Sequence, residues 1–187
     1  MHALIVEAMK LMLSTPELFQ PELQAVYQNF IKGATITIVS PSGATVPLVI
    51  NRTLELPPGF DEVITSDPPR SVPGPHPKCY VYHIQTEYPP REQEERVRKG
   101  YHRIGVSVYG SGETPQDAEL MTQLLGSMVL NLVEHNQYAF AQLPGASGAS
   151  TVTYGENEVS GQKLAANVSP FHLIFVVVMF EQRTITA

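Results

Sequence analysis

A long amphipathic helix, predicted over Pro115–Glu134, constrains the fold more than any other feature of the sequence. Thr114 stands at its N-cap position, Pro115 suits its first turn, and Asp117 completes a Thr-x-x-Asp capping box. Its apolar residues recur three and four apart and form one stripe: Ala118, Met121, Leu124, Leu125, Met128, Val129 and Leu132. Burying each large side chain of this stripe contributes roughly 1.5–3 kcal/mol, so the helix is predicted to cover the main core.

Three segments around this helix have the patterns of strands. Lys78–Thr86 and His102–Tyr109 alternate between apolar and polar residues, which predicts an antiparallel pair joined by a long charged connection. In the second of them Ile104, Val106 and Val108 are expected to point inward. Leu173–Phe180 is apolar throughout, which is typical of a central strand covered on both faces.

The N-terminal region predicts two helices and a hairpin. Residues 2–13 have helical content, and Pro16 is expected to end that stretch, so that a second helix begins at Pro21 and runs to Lys32. Ala34–Val39 and Thr45–Ile50 are rich in β-branched residues and flank a turn signal, Ser40-Pro-Ser-Gly43. Pro47 cannot donate to a ladder, so the second strand is expected at an edge.

Three further segments are predicted to be extended arms: 51–77, 86–100 and 139–170. The first contains seven prolines, and the last is rich in Gly, Ala, Ser and Asn around a short strand at Thr151–Tyr154. The sequence thus predicts one α+β domain over residues 1–187, with a small, mostly antiparallel sheet flanked by helices and long arms.

Composition narrows the classes of function. The net charge is −6 with scattered basic residues, which argues against binding that depends on nucleic-acid phosphates. The chain has a single cysteine, so no internal disulfide can form. The longest apolar run, Leu173–Phe180, is too short to span a membrane, and the N-terminus lacks the basic region of a signal peptide.

The turn Gly110-Ser-Gly112, between a strand and a helix, is a candidate phosphate loop. The complete dinucleotide fingerprint and the P-loop lysine are both absent. Glu113, Asp117 and Glu119 place negative charge where a phosphate would bind, and they complement the helix dipole instead. A structural role is therefore favoured, with a small-molecule- or nucleotide-binding domain kept as an alternative.

The other candidate residues also favour structural roles. Cys79 and His83 share a strand face but are too far apart for a catalytic dyad, and His83 and His102 could face each other across the strand pair without completing a metal site. Tyr80, Tyr82, Tyr101 and Arg103 could form a stacking platform for single-stranded nucleic acid, although tyrosines in strands more often pack within a sheet. The sequence therefore predicts a non-enzymatic protein with no catalytic, cofactor-binding or metal-binding residues.

One family shares this pattern of elements. The stretch Tyr101–Gly110, the helix opening Thr114–Met121 and its continuation to Leu132 are followed by the closing strand Phe171–Glu181. Together with the earlier segments Val72-Pro73 and Tyr80–Ile84, they resemble phage tail-terminator (tail-completion) proteins. The segments 51–77 and 144–170 are longer than this family leads us to expect.

The resemblance implies a structural virion protein without enzymatic activity or cofactor. Such proteins form homohexameric rings that cap the tail tube, stop its polymerisation and join the tail to the head–neck complex. The implied partners are other copies of the chain, the tail tube protein, the head–neck connector or stopper protein and, as a further candidate, the sheath protein. DNA would pass through the ring without specific binding, and the arms would make the contacts to neighbours. A head-closure, stopper or other neck or baseplate ring subunit is the alternative within this class.

Overall fold

The protein is seen in a computed structural model, which describes residues 2–30, 34–50, 54–68, 74, 76–89, 97–143, 152–154 and 168–182. It has three α-helices in this part of the chain: α1 (His2–Leu13), α2 (Pro16–Phe30) and α3 (Pro115–His135). The strands are β1 (Ala34–Val39), β2 (Thr45–Ile50), β3 (Glu62–Ile64), β4 (Lys78–Glu87), β5 (Val97–Ser111), β6 (Val152–Tyr154) and β7 (Val168–Gln182). A 3₁₀ turn, Gln137–Gln142, follows α3.

The body is built on a five-stranded sheet with the order β3-β4-β5-β7-β6. All neighbours in it are antiparallel except β3 and β4, which run parallel. The β5–β7 ladder is the longest, running without a register shift from Val97↔Gln182 to Ser111↔Val168. The prediction of an α+β fold with a mostly antiparallel sheet is confirmed, and the apolar strand β7 lies inside the sheet.

The three helices cover one face of this sheet. Helix α3 packs on β5 and β7, α1 packs on β4 and β3, and α2 packs on α3. The inward residues predicted for β5 (Ile104, Val106 and Val108) are fully buried there, against the apolar stripe of α3. The apolar face of the helix and the apolar face of the strand therefore pack into one continuous core, as the sequence predicts.

The N-terminus of α3 is fixed by its predicted cap. The Asp117 N–H donates to Thr114 Oγ1 over 3.2 Å, and the Thr114 hydroxyl donates to Asp117 Oδ2 over 2.6 Å. One turn later, Thr122 Oγ1 accepts a hydrogen bond from the buried Gly110 N–H at 3.0 Å and donates to the Ala118 carbonyl at 2.8 Å. These bonds hold the end of β5 against the first turns of α3, which sets the helix in register with the sheet.

The prediction for the start of the second helix is wrong. Helix α2 begins at Pro16, which takes the first helical position after Thr15, and Pro21 lies inside the helix. The interior proline removes one backbone hydrogen bond. The extra turn, however, buries Phe19 edge-on against Phe60 at 5.1 Å between ring centroids. The predicted end at Lys32 lies outside the described residues.

The three predicted arms are shorter in the structure. Within 51–77, Leu54, Leu56 and Phe60 pack against the core, and β3 pairs with β4, where Lys78 Nζ lies 3.5 Å from Glu62 Oε2. Strands β4 and β5 extend into the segment 86–100. The segment 139–170 includes the end of the 3₁₀ turn, strand β6 and the start of β7. Apolar residues between the prolines explain the first difference, because burying them offsets the cost of ordering that segment. Residues 51–53, 69–73, 75, 90–96, 144–151 and 155–167 of these segments lie outside the described residues.

We expect Gly110→Ala to lower the free energy of unfolding by about 1–3 kcal/mol, the usual cost of overpacking. A Cβ at this position would lie 2.6 Å from Thr122 Oγ1 and 2.9 Å from the Thr122 backbone nitrogen, so the helix itself would have to move. Gly59→Ala is the matched control, since nothing lies within 4 Å of its added Cβ. Chemical denaturation of the three proteins measures the effect, and equal midpoints for all three would contradict this account of helix placement.

Candidate functional site

The β1–β2 hairpin forms a two-stranded sheet of its own, separate from the five-stranded sheet. The strands pair in register from Ala34↔Ile50 to Val39↔Thr45, as the sequence predicts. In the turn, the Ser40 N–H donates to the Ala44 carbonyl and the Gly43 N–H donates to the Ser40 carbonyl, each over 2.8 Å. Gly43 has φ +81°, a conformation that strongly favours glycine.

Cross-strand pairing sorts the hairpin side chains onto two faces. Because paired residues lie on the same face, Ile36 and Leu48 share a face with Ile38 and Val46. We call these four residues the aliphatic face of the hairpin. The opposite face mixes threonine with apolar residues: Thr35, Thr37, Val39, Thr45, Pro47 and Val49.

Both faces of the hairpin are open to solvent. Six of its large aliphatic side chains, those of the aliphatic face together with Val39 and Val49, are between 43% and 65% exposed. Neither hydrophobic cluster of the described residues includes a hairpin residue. Covering side chains exposed to this extent would contribute on the order of 1 kcal/mol each, which is a substantial driving force for docking.

The hairpin also lacks the usual protection of an exposed strand. Residues 34–50 include no Asp, Glu, Lys or Arg, although the chain as a whole is 16% charged. Exposed edge strands normally carry charges or proline, which prevent pairing with another strand, and here Pro47 is the one such residue in β1 and β2. An isolated two-stranded ribbon is also only marginally stable in water. An uncharged, apolar and exposed ribbon of this kind is typical of a segment that is covered by another protein surface.

The Gly110–Gly112 turn has a packing role at the N-terminus of α3. A Cβ on Gly112 would lie 2.6 Å from the Ala118 backbone nitrogen, just as one on Gly110 would meet Thr122. The adjoining cavity, of about 500 Å³, is lined by Glu55, Glu113 and Asp117 among others. Three carboxylates repel a phosphate, so this geometry gives a nucleotide site no support.

Cys79 and His83 lie on the helix-covered side of β4, as the predicted alternation requires. Cys79 is fully buried in the core, and burial raises the pKa of its thiol far above the ordinary value. The thiol is therefore protonated and packs as a small apolar side chain.

His83 and His102 are joined through a hydroxyl. Thr86 Oγ1 lies 2.8 Å from His83 Nε2 and 2.9 Å from His102 Nδ1, with the two ring centroids 6.3 Å apart. Across the part of the chain that the structure describes, no three His, Cys, Asp or Glu side chains are arranged to hold a metal ion. This cluster is thus a polar connection between β4 and β5.

A histidine stack, which the sequence did not predict, attaches the start of α1 to β4. The His2 and His83 rings lie 4.4 Å apart at an interplanar angle of 24°. They line a cleft of about 490 Å³ together with Glu7 and Asp67. Burial, and next the charge of His2, lower the pKa of His83, opposed by a backbone hydrogen bond at Gln85. The contact joins residues that are distant in sequence, so no local pattern indicates it.

The candidate tyrosine platform lies on the face of the sheet opposite the three described helices, but part of it is buried. Tyr80 packs edge-on against Tyr109 at 5.7 Å between centroids, and both rings are almost fully buried. Tyr101 lies under Lys99, and Arg103 Nη2 forms an ion pair with Glu87 Oε1 at 3.2 Å. Buried rings cannot stack with bases, so this arrangement favours sheet packing over nucleic-acid binding.

The same face holds a polar network that the sequence did not indicate. Ser107 Oγ lies 2.6 Å from His172 Nδ1 and 3.3 Å from Tyr82 Oη. Ser107 is fully buried, so a substrate cannot reach its hydroxyl as it would a catalytic nucleophile. Burial, and next the neighbouring Tyr82 and Tyr80, raise the pKa of Tyr109 to about 12, which keeps this phenol neutral. The network ties β4, β5 and β7 together.

Comparison of the sequence with protein-family models and with curated proteins gave no match. Among the described residues, no helix combines the length and the apolar character needed to cross a membrane. The hairpin remains the candidate functional site, because the other candidate residues have packing partners in the body.

We expect His83 to lower stability on the acid side of neutrality. Its pKa is lowered in the folded protein, so the unfolded chain takes up a proton first as pH falls through about 6.5. The resulting stability is fully present above that pH and declines below it.

The melting temperature of the wild type should therefore fall more steeply between about pH 7 and pH 5 than that of His83→Gln. Glutamine keeps an amide that can bond to Thr86. All other titrating groups are common to both proteins, so the difference between the two curves isolates His83. Parallel curves would show that the histidine stack does not disfavour protonation.

Proposed function

We propose that this chain is a structural virion subunit of the tail-terminator type. It forms a ring that caps the tail tube and joins the tail to the head–neck complex. The observation that carries this proposal is the β1–β2 hairpin, an uncharged aliphatic ribbon that is exposed on both faces. A subunit that presents such a ribbon needs a protein neighbour to cover it.

The elements behind the family resemblance support the proposal further. Strands β5 and β7 pair directly, and α3 packs across both of them. The side chains buried between them belong to the main hydrophobic core, which includes no described hairpin residue. The proposal also explains why candidate residues such as Cys79 and Gly110 have packing roles. An assembly subunit binds its neighbours through its surface and needs no reactive side chain.

The mechanism is a difference between the two faces of the ring. Tail tube subunits stack by repeating one end-to-end interface. A terminator matches the last exposed tube interface on one face and differs on the other, so no further tube ring can add. The second face then receives the connector or stopper protein. The net charge of −6 favours passage of DNA through the ring without binding.

A head-closure, stopper or baseplate subunit uses the same hairpin chemistry, and the position of the ring separates it from a terminator. Antibodies against this chain should label particles of the phage that carries it at the head-proximal end of the tail tube. Adding the purified chain to polymerising tail tube protein should shorten the tubes. Labelling elsewhere, with tube lengths unchanged, would favour the alternative subunits and overturn the terminator assignment.

We expect native mass spectrometry at high protein concentration to detect a species of six chains, each of 20.6 kDa. The double variant Ile38→Asp/Leu48→Asp should need a concentration more than about tenfold higher to form it, because burying two carboxylates in an apolar contact is costly. Both positions are exposed, so the melting temperature of the monomer should hold.

Tyr138→Asp is the matched control for that experiment. Tyr138 is a single exposed hydrophobic residue in the 3₁₀ turn, away from the hairpin in sequence. Its variant should form the six-chain species as the wild type does. If the hairpin variant assembles equally well, the hairpin is not the assembly element.

A further inference from the structure

A bulge in β4 brings together side chains that a regular strand would separate. The register of the β4–β5 ladder shifts between His83 and Gln85, so that Ile84 is an extra residue in β4. Residues three apart on a regular strand point to opposite faces of the sheet. Across this bulge His83 and Thr86 share one face instead, and His83 Nε2 lies 2.8 Å from Thr86 Oγ1. The bulge therefore positions the pair, which is a known use of such irregularities.

The third side chain of the group comes from β5. Thr86 stands directly opposite His102 in the ladder, and Thr86 Oγ1 lies 2.9 Å from His102 Nδ1. His102 is 1% exposed, whereas His83 is partly exposed and stacks on the exposed ring of His2. We call His83, Thr86 and His102 the histidine relay, because one hydroxyl links a ring near the surface to a ring in the interior.

The hydroxyl of Thr86 limits how protons can be placed in this relay. It has one O–H to donate, and a neutral imidazole carries its single proton on one of two nitrogens. When both bonds are made, one ring nitrogen accepts the hydroxyl proton and the other donates to Thr86 Oγ1. His83 Nε2 and His102 Nδ1 therefore cannot both carry a proton while the two bonds last. The protonation of one ring determines which nitrogen of the other ring is protonated.

The backbone around His83 favours one arrangement for the neutral relay. Burial, more than any other effect, lowers the pKa of His83, whereas a backbone hydrogen bond at Gln85 opposes this shift by favouring the charged ring. A bond that favours the charged ring is one that the ring donates, and Nε2 already faces Thr86, so Nδ1 is the donor. Neutral His83 then accepts the Thr86 proton at Nε2, and His102 donates to Thr86 from Nδ1.

We propose that the histidine relay is a proton-coupled switch. When His83 takes up a proton at Nε2, the Thr86 hydroxyl turns toward His102, and the proton of His102 is exchanged from Nδ1 to Nε2. The net uptake is one proton, whose charge resides on His83, because His102 loses one proton and gains one. A change of pH at the surface thus rearranges a hydrogen bond inside the sheet. This inference is independent of the proposed function.

The charged groups around His83 set the pH at which the switch operates. His2 of α1 stacks on the ring and opposes a second positive charge. Glu7 of α1 and Asp67, which follows β3, line the same cleft and have the opposite sign of charge. From β5 the facing group is His102, through Thr86. Because the pKa of His83 is lowered, the switch operates below about pH 6.5.

Nuclear magnetic resonance of the full chain tests the switch directly. Long-range ¹H–¹⁵N correlation spectra distinguish the two ring nitrogens, because the nitrogen without a proton has the larger ¹⁵N shift. Between about pH 8 and pH 5 the larger shift of His102 should pass from Nε2 to Nδ1. The midpoint of that change should equal the midpoint of the His83 titration. A His102 tautomer that stays constant while His83 titrates overturns the proposal.

Two variants show whether the change passes through the hydroxyl. Thr86→Val keeps the β-branched shape and removes the hydroxyl, so the tautomer of His102 should no longer follow the titration of His83. Thr86→Ser is the matched control, since it keeps the hydroxyl and should keep the coupling. A His102 change in Thr86→Val that matches the wild type overturns the relay.

His83→Gln provides a test that leaves Thr86 in place. Without a titrating group at this position, His102 should hold a single tautomer across the same pH range. A change of the His102 tautomer in this variant, at the midpoint found for the wild type, would show that His102 responds to another group and would overturn the proposal.

Discussion

The antiparallel ladder between β5 and β7 is the interaction on which the rest of the structure depends. It joins residues 97–111 to residues 168–182, and it carries α3, whose stripe buries the central residues of both strands. Without this long-range pairing the helix would have no surface to cover. The close approach at Gly110 and Gly126 lets α3 lie directly on the sheet, since a Cβ at either position would collide with Thr122 or Phe171.

Because this central unit provides the hydrophobic core, the fold does not depend on burying the hairpin. The buried residues of the core supply the stability of the body, so β1 and β2 can remain exposed without endangering the fold. The face of the sheet opposite the described helices is stabilised differently, through the edge-on tyrosine pair and the bonds around Ser107. The apolar side chains of the core pack against one another, whereas the large aliphatic side chains described in the hairpin remain exposed. That contrast makes the hairpin the candidate interaction surface.

Local patterns predicted much of the fold because they act over a few residues. The cap at Thr114, the stripe of α3, the alternation in β4 and β5 and the turn at Gly43 all have short-range causes, and the structure confirms them. The start of α2 was missed because Pro16 and Pro21 both suit a first helical position, and the burial of Phe19, which favours the earlier start, cannot be read from the sequence. The hairpin strands were predicted, but their exposure was not. Their lack of charged residues does not distinguish the two cases, because buried strands and strands that dock on another protein both lack charge.

The sequence by itself determined the class of fold, the main helix and strands, and the absence of a motif for phosphate, metal or thiol chemistry around Gly110, Cys79 and His83. Tertiary structure decided which apolar segments enter the core. Leu54, Leu56 and Phe60 lie in a proline-rich segment and yet pack against the core. Ile36, Ile38 and Leu48 lie in well-patterned strands and yet remain exposed to solvent. The reason is that hydrophobicity is a property of each residue, whereas burial depends on which surfaces the long-range strand pairing has left open.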